Sequence, residues 1–201
     1  MLPSRNPLKR LDGQIRLWRE EPMRRVQLRN MLIRPRRVRQ FASFGAHSMI
    51  NRPTWLYGTH KISVGEGVII LQNAWLAVDR RVWGTPGPVL EIGDRVAVRP
   101  GCSISAAESI VIEPDVLMGA YVSVVDNNHT WGESPHALYG PLETAPIHIG
   151  RGSWLADRVA VLAGSRIGEQ CLIGANSVVN SEIPDFSVAV GSPARVVGST
   201  R

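Results

Sequence analysis

Cysteine is nearly absent: the chain of 201 residues contains two, Cys102 and Cys171. Their spacing matches neither a metal site nor a disulfide framework, so neither is expected to organise the fold. Long apolar runs are missing as well. No stretch approaches the roughly 20 residues that cross a bilayer, and the Arg-rich start lacks the apolar core of a signal peptide, so a cytoplasmic protein is the expectation. Acidic side chains are scarce in one region only. Residues 1–40 hold 12 Lys/Arg against three Asp/Glu, a balance of +9, whereas residues 41–201 hold 11 against 14, a balance of −3. The basic character therefore belongs to an appendage, and no nucleic-acid motif accompanies it.

Within that appendage, taken as residues 1–43, Leu8, Leu11, Ile15 and Trp18 fall at helical spacing. A second short helix is expected from Pro22 to about Ile33, because Arg34 precedes a proline and is pushed out of helical geometry. Such an arm can pack its apolar faces on the domain or on a neighbouring subunit. Its charge also suits an anionic lipid or acidic polysaccharide surface, which would place the protein peripherally at the inner membrane face.

What the sequence does have is a period. From Ile149, steps of six give Leu155, Val161, Ile167, Ile173 and Val179, all aliphatic. The same frame recurs upstream in blocks of three: Phe44, Ile50, Leu56; Val64, Ile70, Leu76; Ile92, Val98, Ile104; Ile112, Met118, Val124. Four residues after most of these stands a small or β-branched residue, such as Ser48, Thr54, Val68, Val96, Cys102, Ser153 or Cys171. A helix cannot use this pattern, because a six-residue step rotates by about 600° and drifts around its axis. Short strands separated by tight corners can. One large and one small side chain per hexad then point inward, and Gly at 45, 65, 93, 119, 150, 168 and 174 is expected to supply corner backbone angles closed to other residues. Blocks of three read as turns of a three-sided all-β solenoid of about six coils over residues 44–182, with 183–201 closing it. Both cysteines occupy the small inward slot and are expected to be core residues.

The hexads IGRGSW, LADRVA, VLAGSR, IGEQCL and IGANSV, followed by IPDFSVAVGSPARVV, resemble the hexapeptide-repeat acyltransferases, in particular the maltose, galactoside and capsular-polysaccharide acetyltransferases. The resemblance covers roughly residues 44–198 and implies a left-handed parallel β-helix, a homotrimer and acetyl-CoA as acyl donor, without a metal.

Chemistry is expected where the coils are broken. Coil starts lie 18 residues apart when nothing is inserted, but 28 from Val64 to Ile92 and 37 from Ile112 to Ile149. The insertions fall near 80–91 and 126–147, and loops of that length in a compact repeat are usually functional. His129 opens the second, anchored by a rigid coil, and an imidazole there can take a proton from a hydroxyl. The resemblance gives the same residue the role of general base. Asp126 is close enough to orient the ring, or belongs with Asn127 and Asn128 as a turn former. His136, further along, reads as a substrate-side or incidental residue.

By the same resemblance, Trp154 begins the segment matching the family's Trp-Ile-Gly, so that Asp157 falls where a backbone N–H meets the thioester carbonyl, Ala175, Asn180 and Ser181 line the pantetheine arm, and Arg195 lies near the 3′-phosphate. Asp79 matches an acceptor-side carboxylate position, Asn73 lies one coil face away, and Trp83 and Tyr139, on the two insertions, can stack on a sugar ring. The leading expectation is transfer of an acetyl group to a hydroxyl of a sugar, polysaccharide or glycolipid precursor. A non-catalytic assembly subunit is the alternative from another class. A γ-type carbonic anhydrase needs a zinc-binding His pair five residues apart, and no two of the five histidines have that spacing.

Overall fold

The computed structural model describes residues 38–130 and 140–201. The expected arm helices, His136 and Tyr139 lie outside them. The described chain is built of strands two to six residues long. Successive strands are dealt in rotation to three sheets of seven, eight and six strands, here the first, second and third faces. All pairings in the first and third faces are parallel. The second face ends on the reversed strand Ala194–Ser199, laid antiparallel on Ser187–Gly191. Among the described residues after Val38, helix is confined to two short 3₁₀ turns, Thr59–Lys61 and Arg80–Val82.

The hexad frame is the register. On the first face Phe44, Val64, Ile92, Ile112, Ile149, Ile167 and Ile183 are paired in one column. Columns from Ile50 to Ala189 and from Leu56 to Val179 serve the other two faces. Most of these side chains are fully buried, each burial contributing about 1.5–3 kcal/mol. Phe44, Ile50 and Leu56 of the first coil are only partly buried. Thr54, a predicted inward residue of the same coil, is exposed.

The small inward residues also bind neighbouring coils together. Ser153 Oγ donates to the Gly168 carbonyl at 2.8 Å and accepts from the Cys171 N–H at 2.9 Å. Cys102 Sγ donates to the Gly119 carbonyl and Cys171 Sγ to that of Pro184, each at 3.0 Å. Burial pushes the Cys102 thiol up to about 11 and raises that of Cys171 as well. Both are core residues.

One expectation about the corners is corrected. The glycines at 45, 65, 93, 119, 150, 168 and 174 do not carry the left-handed backbone, which falls on the third residue after the inward aliphatic, as at Arg95, Asp115, Tyr121, Arg158 and Asn176. Those glycines are needed for space. A Cβ at Gly168 would lie 2.5 Å from the backbone nitrogen of Asp185 in the next coil, and one at Gly93 would lie 2.6 Å from that of Pro114. Coils stacked at sheet spacing leave no room there.

Candidate active site

Both interruptions leave the solenoid at the same edge, where the third face hands the chain to the first. The earlier one lies between Trp75–Val78 and Leu90–Ile92, the later between Ser123–Val125 and Ile147–Ile149. The later one begins as a hairpin, in which Asn127–His129 pairs antiparallel with Leu142–Thr144 and His129 lies opposite Leu142.

Asp126 fixes the base of that hairpin. Its side chain is fully buried, Oδ1 accepts the Ala107 N–H at 2.7 Å, and Oδ2 accepts those of Glu108 and Ser109 at 2.9 Å. Asn127 Nδ2 donates to Oδ1 at 3.0 Å, and the Asp126 carbonyl accepts from the Ala145 N–H at 3.0 Å. Four donors thus satisfy the oxygens of this buried side chain. It also answers the choice left by the sequence: Asp126 joins the hairpin to the corner of the coil before it, and its oxygens hold N–H groups and not the imidazole. His129 is exposed, and its ring hydrogen-bonds to no described residue.

The earlier insertion is held from below. Asp79 caps the turn Arg80–Val82, its Oδ1 accepting the Arg81 N–H at 2.8 Å, and its carboxylate pairs with the Arg81 guanidinium at 3.4 Å. Lys61 is 3% exposed, and its ammonium donates to the carbonyls of Thr85 and Gly87. No sequence signal marks Lys61, because its burial depends on a loop more than twenty residues later. Trp83 Nε1 donates to the Val78 carbonyl at 3.2 Å, and the indole lies over Gly58, where a Cβ would come within 2.8 Å of that nitrogen.

The remaining candidates divide between edges. Asn73, Asp157 and Ala175 sit in corners between the second and third faces, and all three are exposed. Asp157 Oδ1 accepts the Ala120 N–H at 2.8 Å, and its carbonyl accepts from Asn176 at 3.0 Å. Its own N–H has no partner among the described residues. Asn180 and Ser181 lie exposed at the third-to-first edge, two coils beyond the His129 hairpin. Trp154 projects outward from the second face, and Arg195 lies on the closing strand with its guanidinium donating to the Ala194 carbonyl at 2.8 Å. Within one chain, His129 and Asp157 therefore stand at opposite ends of the third face's strands. Among the described residues, no group of three His, Cys, Asp or Glu side chains is placed to hold a metal ion.

Outward residues of the second face form an apolar column: Ile69, Ala97, Leu117, Trp154, Leu172 and Val188, with Met49 at its start buried. The first face carries polar residues there, including a His148 Nε2–Glu113 hydrogen bond at 2.9 Å and an Arg166–Glu182 ion pair at 3.9 Å.

The pattern of the bacterial transferase hexapeptide family (six repeats) matches residues 146–181. WbbJ of Escherichia coli K12, a protein assigned to O-acetyl transfer in lipopolysaccharide biosynthesis, is 30% identical over 195 residues, covering 93% of this chain and 88% of WbbJ. Among solved structures, a mutant of AntD, an N-acyltransferase from Bacillus cereus in complex with dTDP and coenzyme A, superposes with a TM-score of 0.65 at 19% identity, over 80% of this chain and 85% of that one. Galactoside acetyltransferase in complex with coenzyme A gives 0.59 at 22% identity, over 97% and 82%. The three-sided parallel solenoid is the architecture of those structures, whose identities carry the fold alone. With a relative at 30% identity along most of both chains, this protein belongs to the hexapeptide-repeat acyltransferase family.

Proposed function

We propose that the protein is an acetyl-CoA-dependent O-acetyltransferase acting on a hydroxyl of a sugar, polysaccharide or glycolipid precursor, with His129 as general base. The observation that carries this reading is the hairpin: an exposed imidazole, unengaged by any described residue, on a strand locked to the solenoid by the buried Asp126 carboxylate. A base held this way needs little reorganisation to meet a hydroxyl. In the step envisaged, a ring nitrogen of His129 takes the hydroxyl proton as the acceptor oxygen attacks the thioester carbonyl carbon. The carbonyl oxygen gains negative charge, for which the Asp157 N–H, without a partner among the described residues, is a suitable donor. Collapse breaks the C–S bond, and the proton held by His129 leaves with the coenzyme thiolate. Asp126 acts as a positioning residue.

Trp154, Asp157, Ala175, Asn180, Ser181 and Arg195 are assigned to the coenzyme, and Asn73, Asp79, Trp83 and Tyr139 to the acceptor side. A homotrimer completes the site. The separation of His129 from Asp157 across the third face favours a base from one subunit meeting coenzyme held partly by its neighbour, and the apolar column of the second face is a surface suited to that packing. The N-terminal arm is proposed as a contact to an anionic surface.

Thioester turnover, followed with a thiol-detecting dye across acyl-CoAs and a saccharide panel, tests the reading. His129→Ala is expected to fold normally and to lose at least about 10²-fold in turnover. Turnover within a fewfold of wild type would remove the assigned role. A folded wild-type protein inert toward every acyl-CoA would favour a non-catalytic assembly subunit.

A further inference from the structure

The third face changes character along its length. In its first two coils three of the four outward residues are aromatic, Ala77 being the fourth: Trp55 pairs in register with Trp75, and the two rings stack at 5.6 Å with 24° between their planes. Tyr57 lies 5.2 Å from Trp83, whose other neighbour is His60 at 4.9 Å. All four large rings are between 37% and 48% exposed. In the next two coils the same columns hold small hydroxyls at three of four positions, with Val125 as the fourth residue. Trp75 is followed by Ser103 and then Ser123, and Ala77 by Ser105 and Val125.

Two consequences follow from the register. Trp55 covers one face of the Trp75 indole, while the other looks over Ser103, a residue too short to cover it. The chain then runs from Val125 directly into Asp126 and the His129 hairpin, so this notch leads from an aromatic wall, across a hydroxyl-bearing floor, to the interrupted edge. Trp75 to Ser123 spans two coils, about 10 Å at sheet spacing. A flat apolar wall beside a floor of hydroxyl groups suits a sugar ring, which offers C–H groups on its faces and hydroxyls at its rim. A bilayer fits less well, because Trp55, Tyr57 and Trp75 lie against one another on strands and do not project from a loop tip.

We propose that the outer third face of the first four coils is a subsite for the non-reacting units of a linear saccharide, one ring stacking on Trp75 above Ser103 and further units on the Trp55–Tyr57 surface. This rests on the saccharide-acceptor reading above and deepens it: the acceptor is an oligomer or polymer and not a free monosaccharide. Neither Trp55 nor Trp75 belongs to the catalytic or coenzyme set.

Tryptophan fluorescence of the full-length protein, titrated with linear α-1,4-glucose and β-1,4-N-acetylglucosamine oligomers of two and six units, tests it. At least one hexamer is expected to bind about tenfold or more tightly than its dimer. Trp75→Ala should abolish that preference, and Trp75→Phe should restore most of it, with coenzyme A affinity by calorimetry unchanged in both. Equal binding of dimers and hexamers, or a preference that survives Trp75→Ala, overturns the subsite. So does an emission shift given by phosphatidylglycerol vesicles and by no saccharide, which would assign the rings to a membrane, or rings shielded from acrylamide in the assembled protein, which would assign them to a subunit contact. Hexamer binding without thioester turnover on any saccharide would leave the subsite standing and remove the acetyltransferase reading.

Discussion

The two edges of the third face are built from the same hexads and behave differently. Between the second and third faces every corner from Asn73 through Gly101, Tyr121 and Arg158 to Asn176 is short and carries one left-handed residue. Between the third and first faces the chain leaves the wall twice, after Val78 and after Val125. A regular edge offers backbone groups and side chains held in register with the next coil. An interrupted edge can carry an imidazole clear of the wall. The proposed oxyanion donor, Asp157, is on the regular edge and the proposed base on the interrupted one, so a second subunit is the economical way to bring them together.

The largest way to upset the interrupted edge, apart from removing His129 itself, is to remove what holds the hairpin. Asp126→Ala leaves the N–H groups of Ala107, Glu108 and Ser109 without their acceptor. A stability loss of about 1–3 kcal/mol is expected by denaturant unfolding, chiefly from the buried Ala107 N–H, since the Glu108 and Ser109 groups are only partly buried and can reach water. Turnover should fall with it even where the protein is still folded. A variant as stable and active as wild type would show that the hairpin needs no such anchor.

On the regular edge the corresponding change is Gly119→Ala. The new Cβ would lie 2.6 Å from Asp157 Oδ1 and 2.7 Å from its backbone nitrogen. Overpacking of this kind costs about 1–3 kcal/mol. Because the strain falls on Asp157, coenzyme affinity measured by calorimetry should weaken while the hairpin is untouched. Unchanged affinity would separate Asp157 from coenzyme binding.

The smallest effect sharpens the contrast between inside and outside. Burial holds the Cys102 thiol at about 11 and raises that of Cys171, so both stay protonated well above neutral pH. Native protein at pH 8 should react with a disulfide reagent far more slowly than unfolded protein, since the thiolate is the attacking form. Rapid labelling of the native state would mean that the coils open readily.

How much of this was legible in the sequence follows from what each residue answers to. Inward positions answer to the core, so the six-residue frame from Phe44 to Val179 marked both register and burial, and the two long steps marked both insertions. The role of Gly93 or Gly168 was not legible, since the frame reveals a glycine near a corner but not the next coil's backbone behind it. Asp126 was open between two readings, because three of its partners lie 17 to 19 residues earlier and meet it only after a full turn. Lys61 was silent for the same reason. Trp55 and Trp75 carried a usable signal: they stand 20 residues apart at the same outward position of successive coils, and stepping outward residues as the inward ones were stepped would have paired them.

The central claim is that the base and the oxyanion donor come to the reaction from different edges of different subunits, and mixed assemblies test it directly. His129→Ala removes the base, and Ala175→Trp fills the proposed coenzyme edge at an exposed corner. Each variant alone should be close to inactive as a folded trimer. If every site uses the base of one subunit and the coenzyme edge of the next, co-refolding equal amounts should restore up to about a quarter of wild-type turnover, half of the chains supplying each intact part independently around a head-to-tail ring. Turnover no greater than that of the separate variants would place both parts in one chain and contradict the account.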